Sequence, residues 1–166
     1  MNDITIRNAR KEDMTQVLQL IKELAVFERE PDAVEISVEE LQRDGFGPQP
    51  AFHCFVAEID EKIAGMALVY PRYSTWKGKA IHLEDLIVSE NMRGGGIGSE
   101  LFTAVIKYSY KKGVKRIEWN VLDWNEPAIT FYEKNGATVL REWDVVQLNE
   151  QGIKNYIANL PAHADL

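Results

Sequence analysis

Glu84 and Asp85 stand side by side in the apolar run Leu83-Glu84-Asp85-Leu86-Ile87-Val88, and Arg93-Gly94-Gly95-Gly96-Ile97-Gly98-Ser99 follows shortly, leading into a helical pattern. A strand that passes through a glycine turn into a helix N-terminus presents unpaired backbone N–H groups that can hold an anion. Glycine suits the turn because successive amides can point inward around an oxyanion only where no side chain blocks its approach. The unit reads as a phosphate cradle with carboxylates just upstream. Two phosphate patterns are excluded. The dinucleotide pattern would start at Gly94 and Gly96 but meets Ser99 where it needs glycine, and the loop lacks the Lys-Ser/Thr pair of the Walker pattern. What remains is Arg-x-x-Gly-x-Gly, carried by Arg93, Gly96 and Gly98. The same residues could instead make a turn of purely structural purpose, with Arg93 in solvent and Glu84 ending a strand toward water.

Charge supplies a second clue. The chain carries a formal net charge of −7, which disfavours a nucleic-acid partner and favours a cationic ligand. Seven carboxylates between Glu28 and Asp44 face only Arg29 and Arg43, so this stretch reads either as a solvated loop and helix face or as an acceptor site for amines. His53, His82 and His163 do not cluster with cysteine or carboxylate at ligand spacing, so no metal is expected. The single cysteine, Cys54, lies among Phe52, Phe55 and Val56 and reads as a buried thiol. Met1-Asn2-Asp3-Ile4 opens without a basic and apolar leader, and no run approaches a membrane span. A cytoplasmic protein with no membrane contact is expected. At 166 residues and 45% hydrophobic content, one domain over 1–166 is the expected organisation.

The elements that must position these groups follow from periodicity. Ile4 and Ile6 mark a first strand, and Met14, Val17, Leu18, Ile21, Leu24 and Ala25 mark a helix with Gln16, Gln19, Lys22 and Glu23 toward water. Ser37-Val38-Glu39-Glu40 is a capping box that opens a second helix ending near Gly45. The runs 52–59 and 63–70 predict a hairpin, 71–79 a loop, and 80–88 the strand that feeds the cradle. A third helix stops at Gly113, a strand runs over 116–122, and Asn125-Glu126-Pro127 opens a helix that Gly136 closes. A last strand over 143–148 and a terminal helix over 152–160 complete a β-α-α-β-β-β-α-β-α-β order, an α/β fold with a mixed sheet.

The Arg93, Gly96 and Gly98 spacing resembles the pyrophosphate loop of the GNAT acyl-CoA N-acyltransferases. Further stretches resemble the diamine (spermidine/spermine) N-acetyltransferase family: Lys22-Glu23-Leu24-Ala25, Asp44-Gly45-Phe46-Gly47, His53-Cys54, Leu83-Glu84-Asp85 and Gly96-Ile97-Gly98-Ser99. Ser74-Thr75-Trp76-Lys77-Gly78 and Leu122-Asp123-Trp124-Asn125 are most similar to its thialysine-acetylating branch. The resemblance runs from about Ile4 to Asn135 and fades beyond Gly136. It implies a single-domain GNAT fold, a homodimer, and transfer of acetyl from acetyl-CoA to the primary amine of a small molecule. Acetylation of a peptide or protein amine, or acyl-CoA binding without catalysis, are the alternative functions.

Transfer from a thioester needs a deprotonated amine, stabilisation of the oxyanion and a proton for the leaving thiolate. An alkylamine holds its proton to a pKa of about 10, so a carboxylate must accept it, directly or through water. Glu84 is assigned that role, with Asp85 on the opposite face of a regular strand. The resemblance implies that Tyr132 protonates the sulfur. It places cofactor on Arg93, Gly94, Gly95, Gly96, Ile97, Gly98 and Ser99, with the pantetheine arm along the backbone of Leu86, Ile87 and Val88. Asn125, Glu126, Pro127, Ala128 and Tyr132 would line its channel. Phe27, Glu28, Trp76, Glu84 and Asp85 would receive the amine, an aromatic wall with carboxylates suited to an alkylammonium.

Overall fold

The computed structural model describes residues 4–160, so Met1-Asn2-Asp3 and His163 lie outside the described residues. The chain divides into two compact units, residues 1–122 and 123–166. In the first, five strands form one sheet in the order β1-β2-β3-β4-β5. They are β1 (Thr5–Asn8), β2 (His53–Ile59), β3 (Lys62–Ser74), β4 (Gly78–Val88) and β5 (Ile117–Glu118). The first four are antiparallel neighbours and β5 runs parallel to β4, which makes the sheet mixed as expected.

Helix α1 (Met14–Phe27) turns its apolar stripe onto the sheet, where Met14, Val17, Leu18 and Leu20 pack with Cys54, Val56, Met66, Leu68 and Ile87. Leu41 of α2 (Val38–Phe46) joins that cluster, and the expected capping box opens α2: the Glu40 N–H donates to Ser37 Oγ, and the Ser37 N–H donates to the Glu40 carboxylate. Helix α3 (Ile97–Lys111) contributes a separate apolar face of Leu101, Phe102 and Val105 against β2, β3 and β4. Burying both faces of the sheet stabilises it at roughly 25 cal/mol per Å² of apolar surface removed from water.

Three expectations about the strands change. The segment 71–79 is not a loop, because β3 continues to Ser74 and β4 begins at Gly78. Pro71 is tolerated there because it pairs with Ile81, whose N–H turns the other way to the Arg116 carbonyl. The proline nitrogen therefore faces the side where β2 has ended at the His53–Val69 pair, and no ladder bond is lost. Next, the strand expected over 116–122 shrinks to Ile117–Glu118, since only Ile81–Ile117 and His82–Glu118 pair with β4. Finally, the strand expected over 143–148 has no ladder partner among the described residues, and Trp143 and Val146 are 71% and 91% exposed. β-propensity alone does not satisfy the backbone groups of an unpaired strand.

In the second unit, α4 (Glu126–Lys134) opens as expected, with the Ala128 N–H on Asn125 Oδ1 and Pro127 in the first turn. Helix α5 (Glu150–Ala158) starts earlier than expected because Asn149 caps it, its Oδ1 accepting the Gly152 N–H at 2.8 Å.

Candidate active site

The site begins with a defect in β4. Its register with β3 slips between Leu68–Asp85 and Val69–Leu83, leaving Glu84 as the extra residue of a β-bulge. Leu68 belongs to the core cluster under α1 and Tyr70 packs against it, so their cross-strand partners Asp85 and His82 lie on that same face. Glu84 joins them. Its carboxylate stands 3.7 Å from His82 Nε2 and interacts with the Tyr70 hydroxyl. A regular strand would put Glu84 and Asp85 on opposite faces, and the bulge corrects that expectation by gathering both on one.

Around the bulge the electrostatics are those of crowded acid. Burial first, then the charges of Glu84 and Glu28, push the Asp85 carboxyl up to about 6. Partial desolvation also raises the Glu28 carboxyl, although the residue remains exposed. Glu28 is brought there by the end of α1, where its N–H bonds the Leu24 carbonyl, Arg29 takes a left-handed φ of 67°, and the Glu30 N–H returns to the Ala25 carbonyl. Three carboxylates converging with one near its titration point suit a cation that could share their protons.

The structure does not bring Trp76 into this group within one chain. It sits at the tip of the β3–β4 hairpin, 81% exposed, beyond the Ser74–Gly78 pair. Glu84 lies six residues up β4 from Gly78, about 20 Å at the usual strand rise. Phe27, by contrast, lies close to the cradle, with the Arg93 guanidinium 5.5 Å over its ring.

The cradle has the geometry an anion needs. Gly94 and Gly96 hold φ of +85° and +82°, a region L side chains avoid, and a Cβ at either would meet no atom within 4 Å. Gly96 is the N-cap of α3, with no side chain capping the turn, so the first N–H groups of the helix remain for a ligand. Arg93 Nε donates to the Val88 carbonyl at 3.0 Å, folding the loop back on the strand. This open, glycine-lined turn fits a pyrophosphate.

Helical periodicity places Glu23 toward water. Instead it accepts the Ser89 hydroxyl at 3.2 Å and the Glu90 N–H at 2.6 Å, tying α1 to the start of the cradle. Gln16 likewise leaves the water face, its Oε1 accepting the Ile63 N–H at 3.0 Å. Both contacts join residues far apart in the chain, so periodicity held no signal for them.

Beyond His82, β5 leaves β4, and the edge of β4 from Leu83 has no strand partner among the described residues. Because the Ser89 N–H donates to Ala64 across β3, strand alternation turns the backbone of Leu86 and Val88 to the open edge and that of Ile87 to β3. Leu86, and the N–H of Val88, whose carbonyl already accepts from Arg93, are placed to pair with an extended ligand. Ile87 is not, since its backbone is committed to the ladder.

Tyr132 belongs to α4 of the second unit, edge to face with Phe131 at 5.3 Å. Burial pushes its hydroxyl up to about 12, so it keeps its proton across the neutral range and can donate it. Asn125, Glu126, Pro127 and Ala128 form the start of the same helix.

The first unit thus combines a mixed sheet with a split edge, a glycine cradle at a helix N-terminus and carboxylates at a bulge between them. The Acetyltransferase (GNAT) family profile matches residues 14–137. The chain is 42% identical to thialysine N-epsilon-acetyltransferase of Bos taurus over 84% of this chain and 86% of that one. It is 33% identical to human spermidine/spermine N(1)-acetyltransferase-like protein 1 over 91% of this chain and 23% of that longer one. The fold recurs in an aminoglycoside N-acetyltransferase solved in complex with CoA, 17% identical, with a TM-score of 0.71 over 89% of this chain and 95% of that one. The chain belongs to the GNAT acetyltransferase family. No helix among the described residues is long and apolar enough to cross a membrane.

Proposed function

We propose that the protein transfers acetyl from acetyl-CoA to the primary amine of a small molecule, a thialysine-like amino acid or a diamine or polyamine. The observation that carries this reading is the bulge that turns Glu84 and Asp85 to one face beside Glu28, at the head of the open β4 edge. The similarity to thialysine and spermidine/spermine-type relatives supports a small amine over a peptide.

Arg93, the backbone of Gly94 to Ser99 and the open-edge groups of Leu86 and Val88 would hold acetyl-CoA, which supplies the thioester carbonyl. Glu84 takes the proton of the ammonium, which Glu28 and Asp85 attract and hold. A backbone N–H at the open edge of β4 faces the developing oxyanion. Tyr132 gives its proton to the sulfur as the C–S bond breaks and regains one from the acylated nitrogen, which still carries its second proton, and Asn125 to Ala128 open the helix that carries Tyr132. Residues 1–166 are taken as one catalytic domain because the family match runs across the boundary at residue 122. A cytoplasmic homodimer is part of the same reading. If Trp76 serves the acceptor, its place at the far end of the hairpin requires that a second copy supply it. Light scattering that gave a monomer would remove both the dimer and Trp76.

The test is an acetyl-transfer screen over thialysine, a short diamine, spermidine and a lysine peptide, with Glu84→Gln beside the wild type. Turnover is expected on the small amines and lost in the variant. Preference for the peptide, or a fully active Glu84→Gln, would sink the assignment.

A further inference from the structure

His82 is unusual for a core residue. It is 9% exposed, its ring is stacked on Tyr70 at 5.0 Å, and its Nδ1 has no hydrogen-bond partner among the described residues. Its other nitrogen, Nε2, is the atom 3.7 Å from the Glu84 carboxylate. A purely structural aromatic on this strand would need neither nitrogen, and burying an unpaired one is costly.

We propose that His82 is a positioning and proton-accepting partner of Glu84, drawing off through Nε2 the proton that Glu84 takes from the acceptor ammonium. This rests on the reading of Glu84 as the base. The ammonium N–H bond breaks with its electron pair left on nitrogen, and an O–H bond forms on Glu84. That O–H then breaks as an N–H forms on Nε2, restoring the carboxylate beside an imidazolium. Loss of the proton to water returns the imidazole to neutrality and matches the one proton the overall reaction releases.

The ordinary basicities of the two groups favour the transfer. An ordinary imidazole holds a proton about a hundredfold more tightly than a carboxylate, so the proton moves to the better base. Burial, the largest effect, lowers the His82 pKa, with Glu84 raising it and Arg72 lowering it, so the ring is neutral at neutral pH and gives up a captured proton readily. The other charged groups near it are already engaged: Glu118, its register partner on β5, pairs with both Arg72 and Arg116. Tyr70 holds both members, stacked on the imidazole and interacting through its hydroxyl with the carboxylate.

The experiment compares wild type, His82→Phe, His82→Gln and Glu84→Gln by amine kcat/KM against pH and by acetyl-CoA affinity. His82→Phe keeps a stacked ring and removes only the nitrogens. Both His82 variants should lose turnover on the order of 10²-fold, the low end for a proton-transfer group, with acetyl-CoA affinity unchanged. They should also lose the acid limb set by the imidazole, which moves to lower pH. Turnover within about twofold of wild type, or a loss that leaves the acid limb in place, would overturn the proposal. An NMR titration of His82 needs neither His82 variant to fold: its midpoint should fall in Glu84→Gln, and an unmoved midpoint would refute the coupling. A fully active Glu84→Gln would overturn the base assignment itself, whereas an inactive Glu84→Gln beside normal His82 variants would overturn only the role of His82.

Discussion

Gly96 offers the cleanest way to separate the cradle's geometry from its chemistry. Its φ of +82° lies in the left-handed region, and a Cβ there would touch nothing within 4 Å, so a substitution acts through backbone strain and not through collision inside the protein. An alanine held left-handed costs about 1–2 kcal/mol. If the Gly96→Ala loop relaxes when empty, binding must restore the strained form, which lowers CoA affinity about 5- to 30-fold. Gly96→Val should do worse, since a β-branched residue is a strong outlier there, and Gly96→Asn better, since asparagine tolerates the region. Gly113 is the matched control: it has φ of +65°, equally open space and a place at the other end of α3. Gly113→Ala should lower the unfolding midpoint without touching CoA affinity. Titration calorimetry with CoA, alongside thermal unfolding, reads both effects. Unchanged CoA affinity in a folded Gly96→Val protein would refute the cradle.

Tyr132→Phe should lower kcat by about 10²–10⁴-fold while amine and acetyl-CoA binding hold, because the proton is given only as the thiolate leaves. Steady-state kinetics at saturating cofactor checks it, and full activity would return Tyr132 to packing. Glu28→Gln should raise the amine KM about three- to tenfold, modestly because Glu28 is exposed, with acetyl-CoA affinity unmoved. Amine saturation at two salt concentrations measures it, and an unchanged KM for every amine would make Glu28 a solvated loop residue. Asp85→Asn bears on stability. With the native carboxyl raised to about 6, it binds its proton more tightly folded than unfolded, so its contribution is full below about pH 4 and is lost as pH rises through about 6. Above that window the variant should be more stable than wild type, by up to about 3 kcal/mol. Denaturant unfolding at pH 4 and pH 8 checks the sign, and an equal difference at both would contradict the shift.

What could be read from the sequence alone was local. The Ser37–Glu40 capping box, the Asn125 cap with Pro127, and the glycine turn into α3 each depend on residues a few positions apart, so composition and spacing carried them. Glu84 and Asp85, the carboxylates of the proposed site, stand out in the sequence for the same reason, because they adjoin the cradle. Their shared face was not. It depends on a slip of register against Leu68 and Val69, set by pairing between strands whose packing the residues of β4 do not encode by themselves. The clasp of Glu23 on Ser89 and Glu90, the distance of Trp76 from Glu84, and the placing of His82 against the carboxylate share that origin. The strand expected over 143–148 shows the converse, a run with β-propensity that finds no ladder among the described residues. Dihedral preferences and caps are written in neighbouring residues, whereas register, bulges and contacts between residues far apart in sequence are decided only when distant segments bury their apolar faces together.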